Sequence, residues 1–326
     1  MNQVAKMAGV SEMTVSRVLR NVGSASPATR ARVETAVRQT GYVHNRLAGS
    51  LATARSGLVG VILPSMANSV FSEVMGGINS TLARSGLQAV VGVTDYDQTT
   101  EEALVRSMLS WKPEALIVTG LEHTNEARRM LDAAAIRVIE MMDIDHPPID
   151  IAIGLSHRAA GSETGRYLFE RGYRRFGYVG DDLRKDTRAR SRREGLTEFL
   201  RAVGLPPAVE IAEAEPSSLH LGKRALARLL ARHPEVDVVV FSNDDMAAGG
   251  LFYCMEHSID VPGQLGLFGF NGLEIGQAFP KPLSTIRTNR QKMGALAMEQ
   301  LMISAARPNE PTVIDTGFEL VPGATA

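Results

Sequence analysis

From Leu58 onward the chain alternates short apolar runs with segments of helical spacing, and it does so in two successive series. The first comprises an apolar run at 59–63, an amphipathic stretch at 71–84, a run at 88–93, a helical pattern at 101–111, a run at 115–118, a helix through Leu131 and a strand at 137–140. The second restarts at 151–153. It continues with a helix to Arg171, a strand at 176–179, a helix through Leu200, a strand at 209–211, a helix at 219–231, a strand at 236–241, a helix at 246–257 and a strand at 265–270. Such alternation builds parallel sheets with helices on both faces. Two similar halves facing one another place a ligand in the cleft outside the carboxyl ends of the strands.

A chain of 326 residues is about twice the usual domain size, so this two-part body is expected to leave room for a further unit. Hydrophobic residues at 44% with charged residues at 22% exclude a disordered or fibrous chain. The single cysteine, Cys254, excludes a disulfide framework, and it reads as a small buried hydrophobe suited to a reducing compartment. No apolar run is long enough to span a bilayer and no secretory pattern opens the chain, so a cytoplasmic protein without membrane contact is expected.

The net charge of −1 conceals an uneven distribution. Residues 1–55 hold eight cations, Lys6, Arg17, Arg20, Arg30, Arg32, Arg38, Arg46 and Arg55, against Glu12 and Glu34, which gives +6 and leaves −7 for the rest. A compact basic module on an acidic body is the charge footprint of a small end that meets phosphates. A solvated basic face is the plainer alternative. Within the module Val4, Ala5 and Ala8 form a stripe that stops at Gly9, and Ser11 then opens a segment with Val15, Val18 and Leu19 at helical spacing. Small Ala5 and Gly9 allow close approach, with Val10 and Val15 filling the angle, as in a helix-turn-helix. A third helix is expected from Ser26 and Pro27 to Gly41.

The ordered residues Val4-Ala-x-x-Ala-Gly-Val-Ser11, Thr14-Val-Ser-Arg-Val18, Thr29-Arg30, Gly41-Tyr42 and Asn45-Arg46-x-Ala48-x-x-Leu51 resemble the DNA-binding headpiece and hinge of lac-repressor-family regulators. The resemblance implies an all-α headpiece at 1–44, a hinge helix at 45–56 and an effector-binding and dimerisation body at 57–326. The body would divide into one subdomain of about 57–155 plus 285–314 and another of about 156–284 plus 315–326. It further implies that Glu12, Met13 and Arg17 face base edges in the major groove. Arg17 suits guanine and Glu12 a cytosine amino group, a surface ion pair being the alternative for Arg17. Ser11, Thr14, Ser16, Ser24, Ser26 and Thr29 suit phosphate contacts, although Ser11 and Ser26 are also placed to cap helices. Tyr42, Asn45, Arg46 and Ala48 complete the motif, and Leu51 is expected to wedge between base pairs where two hinges meet in the minor groove. One departure concerns Gln3, which stands where the family has an aspartate that starts the first helix; either Asn2 is the substitute cap or the natural start lies upstream.

The body resembles the same family's effector domain, itself similar to periplasmic sugar-binding proteins, through Ser242-Asn-Asp-Asp-Met-Ala-x-Gly249, Gly269-Phe-Asn-Gly272 and Pro282-Leu-Ser-Thr-Ile286. Ser107-Met-Leu-Ser-Trp111, Glu140-Met-Met-Asp143 and Asp150-Ile-Ala-Ile-Gly154 resemble its gluconate-repressor branch. Position by position, the resemblance implies effector contacts from Phe71, Asp143, Arg192, Asn243, Asp244 and Asn271. Core packing is the alternative for Phe71, and helix capping for the two aspartates. Sugar-binding relatives commonly carry an aspartate where Asn271 stands. A neutral amide there, with Arg192 free for a bidentate carboxylate contact, favours a sugar acid such as gluconate or a related aldonate or ketoaldonate. Ser156-His157 replaces the usual Asp-Asn, leaving His157 either a ligand contact or a capping or surface residue.

No dinucleotide fingerprint, phosphate-binding loop, serine elbow or metal-spaced histidine set occurs, so an enzyme, a cofactor and a metal are not expected. A solute-binding protein for a sugar or sugar acid is the main alternative to a repressor dimer on a near-palindromic operator. The hinge reading makes one measurable claim. Leu51→Ala should weaken operator binding and bending in a gel-shift titration while leaving the body folded, and unchanged affinity would remove the wedge.

Overall fold

A computed structural model describes residues 1–19, 25–43, 56–303, 307 and 310–326. The chain divides into two compact units, Met1–Ser56 and Gly57–Ala326. Ser24 and the hinge positions Asn45, Arg46, Ala48 and Leu51 lie outside the described residues.

The first unit contains α1 (Asn2–Ala8), α2 (Glu12–Leu19) and α3 (Pro27–Thr40). Asn2 is the first helical residue, with Met1 at the cap position and no side-chain cap, so Asn2 does not act as the substitute cap. Gly9, at φ 63°, ends α1 in the left-handed conformation that lets α2 turn back. Ser11 Oγ accepts from the Thr14 N–H at 3.2 Å, and Ser26 Oγ accepts from the Thr29 N–H at 3.2 Å ahead of Pro27. Val4, Ala5, Ala8, Val15, Val18, Val33 and Ala36 are buried together, with Val10, Leu19, Val37 and Tyr42 packed against them. The three-helix core is thus built from the apolar positions whose spacing marked the helices.

In the second unit a six-stranded parallel sheet has the order β11-β5-β4-β3-β1-β2, from β1 (Leu58–Leu63), β2 (Gln88–Val93), β3 (Ala115–Thr119), β4 (Arg137–Met141), β5 (Ile151–Gly154) and β11 (Thr312–Asp315). The inner strands β3, β4 and β5 are buried at every position, β3 and β5 as largely apolar runs and β4 with Arg137 and Glu140 buried among its apolar residues. Helices α4 (Ser69–Ser85), α5 (Gln98–Ser110), α6 (Asn125–Ala133) and α12 (Arg290–Ile303) belong to this half. A four-stranded parallel sheet, β7-β6-β8-β9, is formed by β6 (Phe176–Gly180), β7 (Val209–Ala212), β8 (Val238–Phe241) and β9 (Gly266–Phe268). Its helices are α7 (His157–Glu170), α8 (Thr187–Ala202), α9 (Leu219–Arg232), α10 (Asp244–Glu256) and the short α11 (Glu274–Gln277). β10 (Thr285–Thr288) and β12 (Phe318–Val321) form a separate antiparallel pair.

Helix α8, which carries the arginine run, is seated by two glycines. A Cβ on Gly161 would lie 1.9 Å from the Arg192 carbonyl oxygen, and one on Gly195 would lie 2.0 Å from that of Arg158. The backbones of α7 and α8 therefore touch, and any side chain at either glycine would force them apart. Cys254 is fully buried and unpaired, and burial pushes its thiol up to about 12, as suits an inert core residue.

The N-terminal half also encloses a charged triad. His123 Nδ1 lies 2.6 Å from Glu101 and Nε2 lies 3.3 Å from Glu140, with the imidazole wholly buried. Burial alone would lower its pKa, but the hydrogen bonds to Glu101 and Glu140 outweigh that and raise it to about 9. A histidine raised above its unfolded value contributes stability that is complete below about pH 6.5 and is lost as pH rises through about 9. The thermal midpoint should therefore fall between pH 7 and about 9.5, and His123→Gln should flatten that decline in a melting series.

Candidate functional site

Two regions gather the polar groups that the sequence singles out. On α2, successive residues advance by about 100°, which places Glu12, Ser16, Met13 and Arg17 within an arc of roughly 140°. Val15 and Val18 point the other way, into the headpiece core. Glu12, Met13 and Arg17 are exposed, Met13 at 65%. Ser11 and Ser26 serve as caps, and Thr14 and Thr29 each share a hydroxyl contact with their cap at 2.9 Å. Tyr42 is half-buried against the core, so its body is structural and only its edge is available. The result is a short helix edge of one acid, one thioether and one arginine, with hydroxyls at its start, a surface of the size and chemistry that enters a major groove.

The second region lies in the body, where the loops after parallel strands converge from both halves. Ser65, Ala67 and Asn68 follow β1, Asp95 and Tyr96 follow β2, and Gly120 follows β3. Facing them, Asp181 follows β6, Ala214 to Ser217 follow β7, and Asn243 follows β8. A cavity of about 200 Å³ lies between these two sets, lined by Asn68, Asp95 and Tyr96 on one side and by Asp181, Asp186 and Asp245 among others on the opposite side. Asp95 and Tyr96 both have positive φ, 49° and 59°, an uncommon backbone for side-chain-bearing residues that turns Tyr96 into the cleft. Burial, reinforced by Asp186, raises the Tyr96 pKa, so the phenol keeps its proton.

Beside Tyr96 stands an arginine that was not among the expected contacts. Arg188, in the first turn of α8, crosses to the other half, with Cζ 5.8 Å from the Phe71 ring and 6.0 Å from the Tyr96 ring. It is only 8% exposed, yet among the described residues its guanidinium makes no hydrogen bond, and its one ion pair, to Asp186, is 4.0 Å long. Guanidinium N–H groups of this kind can pair with a carboxylate or similar anion.

Arg192, one turn on, is committed inside the fold. Its Nη1 lies 3.0 Å from His157 Nδ1, its Nη2 donates to the Ser242 carbonyl at 2.9 Å, and Cζ sits 4.0 Å above the Phe270 ring. His157 is 2% exposed, which excludes the surface role, and its Nε2 bonds the Met142 carbonyl at 2.7 Å. Burial, followed by Arg192 and Arg188, lowers the His157 pKa well below its ordinary value, so the neutral ring donates through Nε2 and accepts through Nδ1. Two of the five Arg192 N–H donors thus serve His157 and Ser242.

Asp244 is likewise bonded within the fold. It is fully buried, Oδ2 accepts from the Leu273 N–H at 2.6 Å and Oδ1 from the Thr285 hydroxyl at 2.7 Å, and its neighbour Asp245 lines the cavity instead. Burial raises the Asp244 pKa to about 6 despite those bonds. Asn243 caps α10 by accepting from the Met246 N–H at 3.0 Å, while its amide donates to Ser217, a cavity residue, at 2.6 Å. Asp143 is 3% exposed, with Oδ1 accepting from the Asp145 N–H at 2.9 Å and burial raising its pKa. Phe71 belongs to the main core, presenting its ring toward Arg188. Asn271 has φ 111°, and its backbone is held by Ile286 and Arg290. Its side-chain amide makes no hydrogen bond among the described residues, so it remains a free donor and acceptor. The i, i+4 spacing of Arg188 and Arg192 signalled that both share a face of α8; Asp181, Asp186 and Tyr96 carried no comparable signal.

Among the described residues no group of histidine, cysteine and acidic side chains is placed to hold a metal, and no helix is long and apolar enough to cross a membrane.

Comparison with known proteins matches both regions. Residues 1–45 match the family described as bacterial regulatory proteins, lacI family, and residues 56–315 match the periplasmic binding proteins and sugar binding domain of the LacI family. The chain is 39% identical to the HTH-type transcriptional regulator GntR of Pseudomonas aeruginosa over 98% of its own length and 94% of that protein. It is 34% identical to the regulator of the same name in Escherichia coli over 100% of its length and 98% of that protein. The crystal structure of a LacI-family transcriptional regulator from Silicibacter pomeroyi superposes with a TM-score of 0.94 at 45% identity, covering 99% of this chain and 98% of that one.

The opposite environments of two adjacent aspartates can be separated by stability. Asp244→Ala leaves the Leu273 N–H and the Thr285 hydroxyl without their acceptor and should cost about 2–4 kcal/mol in urea unfolding followed by circular dichroism. Asp245→Ala, at the cavity wall, should cost less than about 1 kcal/mol.

Proposed function

The chain belongs to the LacI family of bacterial transcriptional regulators and is not an enzyme, and on that premise we propose that it represses sugar-acid catabolic genes and is released from its operator by gluconate or a related aldonate or ketoaldonate. The observation that carries this reading is Arg188, nearly buried beside Phe71 and Tyr96 and making no hydrogen bond among the described residues. A neutral sugar offers that guanidinium only hydroxyls, whereas a sugar acid offers a carboxylate and two parallel charge-assisted bonds. The free Asn271 amide adds a group that does not repel an anion.

In this reading the protein acts in the cytoplasm as a homodimer whose two α2 helices meet two half-sites of a near-palindromic operator. Arg17 and Glu12 address base edges with Met13 beside them, while Ser11, Thr14, Ser16, Ser26 and Thr29 attend the phosphates. The effector joins the two halves of the body across the cleft and favours a state that does not hold DNA. A coupling of about 1–3 kcal/mol between the two sites suffices for a measurable release.

The test pairs a gel shift with calorimetry. DNA upstream of sugar-acid catabolic genes should be retarded specifically and released by gluconate, and Arg17→Ala should abolish the specific shift. In calorimetry gluconate should bind far more tightly than glucose, and Arg188→Leu should weaken gluconate by roughly 2 kcal/mol or more, about thirtyfold. Glucose binding as tightly as gluconate would overturn the sugar-acid reading.

A further inference from the structure

The cavity lined by Tyr96, whose ring faces Arg188, is rich in acidic side chains. Asp95, Asp181, Asp182, Asp186, Glu215 and Asp245 line it, and Lys185 is the one cation among its lining residues. Three of these six acids are engaged: Asp182 pairs with Arg184 at 2.8 Å, Glu215 with Arg224 at 2.7 Å, and Asp186 accepts from the Ala189 N–H at 3.0 Å.

Asp181 is different. It lines the cavity, it is 8% exposed, and its Oδ1 is enclosed without any hydrogen-bond partner. Burial, followed by the Asp186 charge, holds its carboxyl up at about 7. An enclosed acceptor of this kind is costly unless a donor reaches it, and no described side chain does. Tyr96 links the two chemistries, since its ring faces Arg188 at 6.0 Å while it lines the same cavity as Asp181.

A ligand that satisfies both ends has an anionic head and a tail rich in hydrogen-bond donors. We infer that the acidic cavity receives the hydroxylated tail of the sugar acid, with Asp181 accepting a tail hydroxyl, and that it thereby rejects the same acid once its terminal hydroxyl carries a phosphate. This rests on the sugar-acid reading, with the carboxylate at Arg188. A phosphate monoester brings close to two negative charges and oxygens that are mostly acceptors, so it cannot donate to Asp181 and is repelled by the surrounding carboxylates. Lys185 alone does not offset them. The protein therefore reports the free acid, ahead of any phosphoryl transfer to its terminal hydroxyl.

Calorimetry on the full chain, with D-gluconate and gluconate 6-phosphate as the two probes, tests this directly. The phosphate ester should bind about tenfold more weakly or worse, and Asp181→Asn, which replaces a carboxylate oxygen by an amide donor, should narrow that ratio several-fold. If Asp181→Asn does not fold, Asp245→Asn on the same wall should narrow it as well. Equal or tighter binding of the phosphate ester by the wild-type chain, or a ratio unmoved in the folded variants, overturns the inference while gluconate binding that depends on Arg188 leaves the sugar-acid reading intact. Failure of both probes to bind overturns that reading and the inference with it.

Discussion

A single buried imidazole holds the two halves of the body in register. His157 opens α7 in the C-terminal half, yet its Nε2 bonds the carbonyl of Met142, which follows β4 of the N-terminal sheet, and its Nδ1 receives Arg192 from α8. Arg192 continues the chain to the Ser242 carbonyl after β8. The bonded path thus runs from one sheet, through two helices, to the other. Its members are buried, where hydrogen bonds are strong and an unmatched partner is expensive. The backbone contact at Gly161 and Gly195 keeps α7 and α8 close enough for the path to close.

This relay divides the labour between two arginines one helical turn apart. Arg192 is tied to His157 and Ser242, whereas Arg188 makes no hydrogen bond among the described residues. A second cross-cleft tie, between Arg190 of α8 and Glu122 of the loop after β3, holds the same helix against the N-terminal half. That loop is itself anchored, because adjacent His123 sits between Glu101 and Glu140. Helix α8 is therefore tied to its surroundings through Arg190 and Arg192, in the turn that follows Arg188.

Electrostatics then gives the cleft two unlike ends. Near Phe71 and Tyr96 Arg188 has only a long ion pair to Asp186, whereas on the cavity wall Asp181 Oδ1 has no partner. The low polarity of the surroundings sharpens both demands, since burial raises the cost of either group remaining unmatched. A small molecule with a carboxylate at one end and hydroxyls at the other answers both. The headpiece follows a simpler rule, as one face of α2 is consumed by Val15 and Val18 and the remainder is left for recognition.

What the sequence determined by itself was everything that rests on near neighbours. Apolar spacing marked the three headpiece helices and the two strand–helix series, and Ser11, Ser26 and Gly41 marked helix ends, because a cap acts on backbone groups two or three residues away. The ordered motifs from Val4 to Leu51, with those of the body, pointed to the family, and the family matches bear it out. Which polar side chains reach the cleft was decided only by tertiary structure. Asp244 is turned inward by Thr285, 41 positions away, and Arg192 by His157, 35 positions away, so the adjacent Asp245 and the earlier Arg188 are left facing the cavity and its rim. Neither partner can be read from local spacing, because it is the docking of helices and sheets that brings the groups within bonding distance.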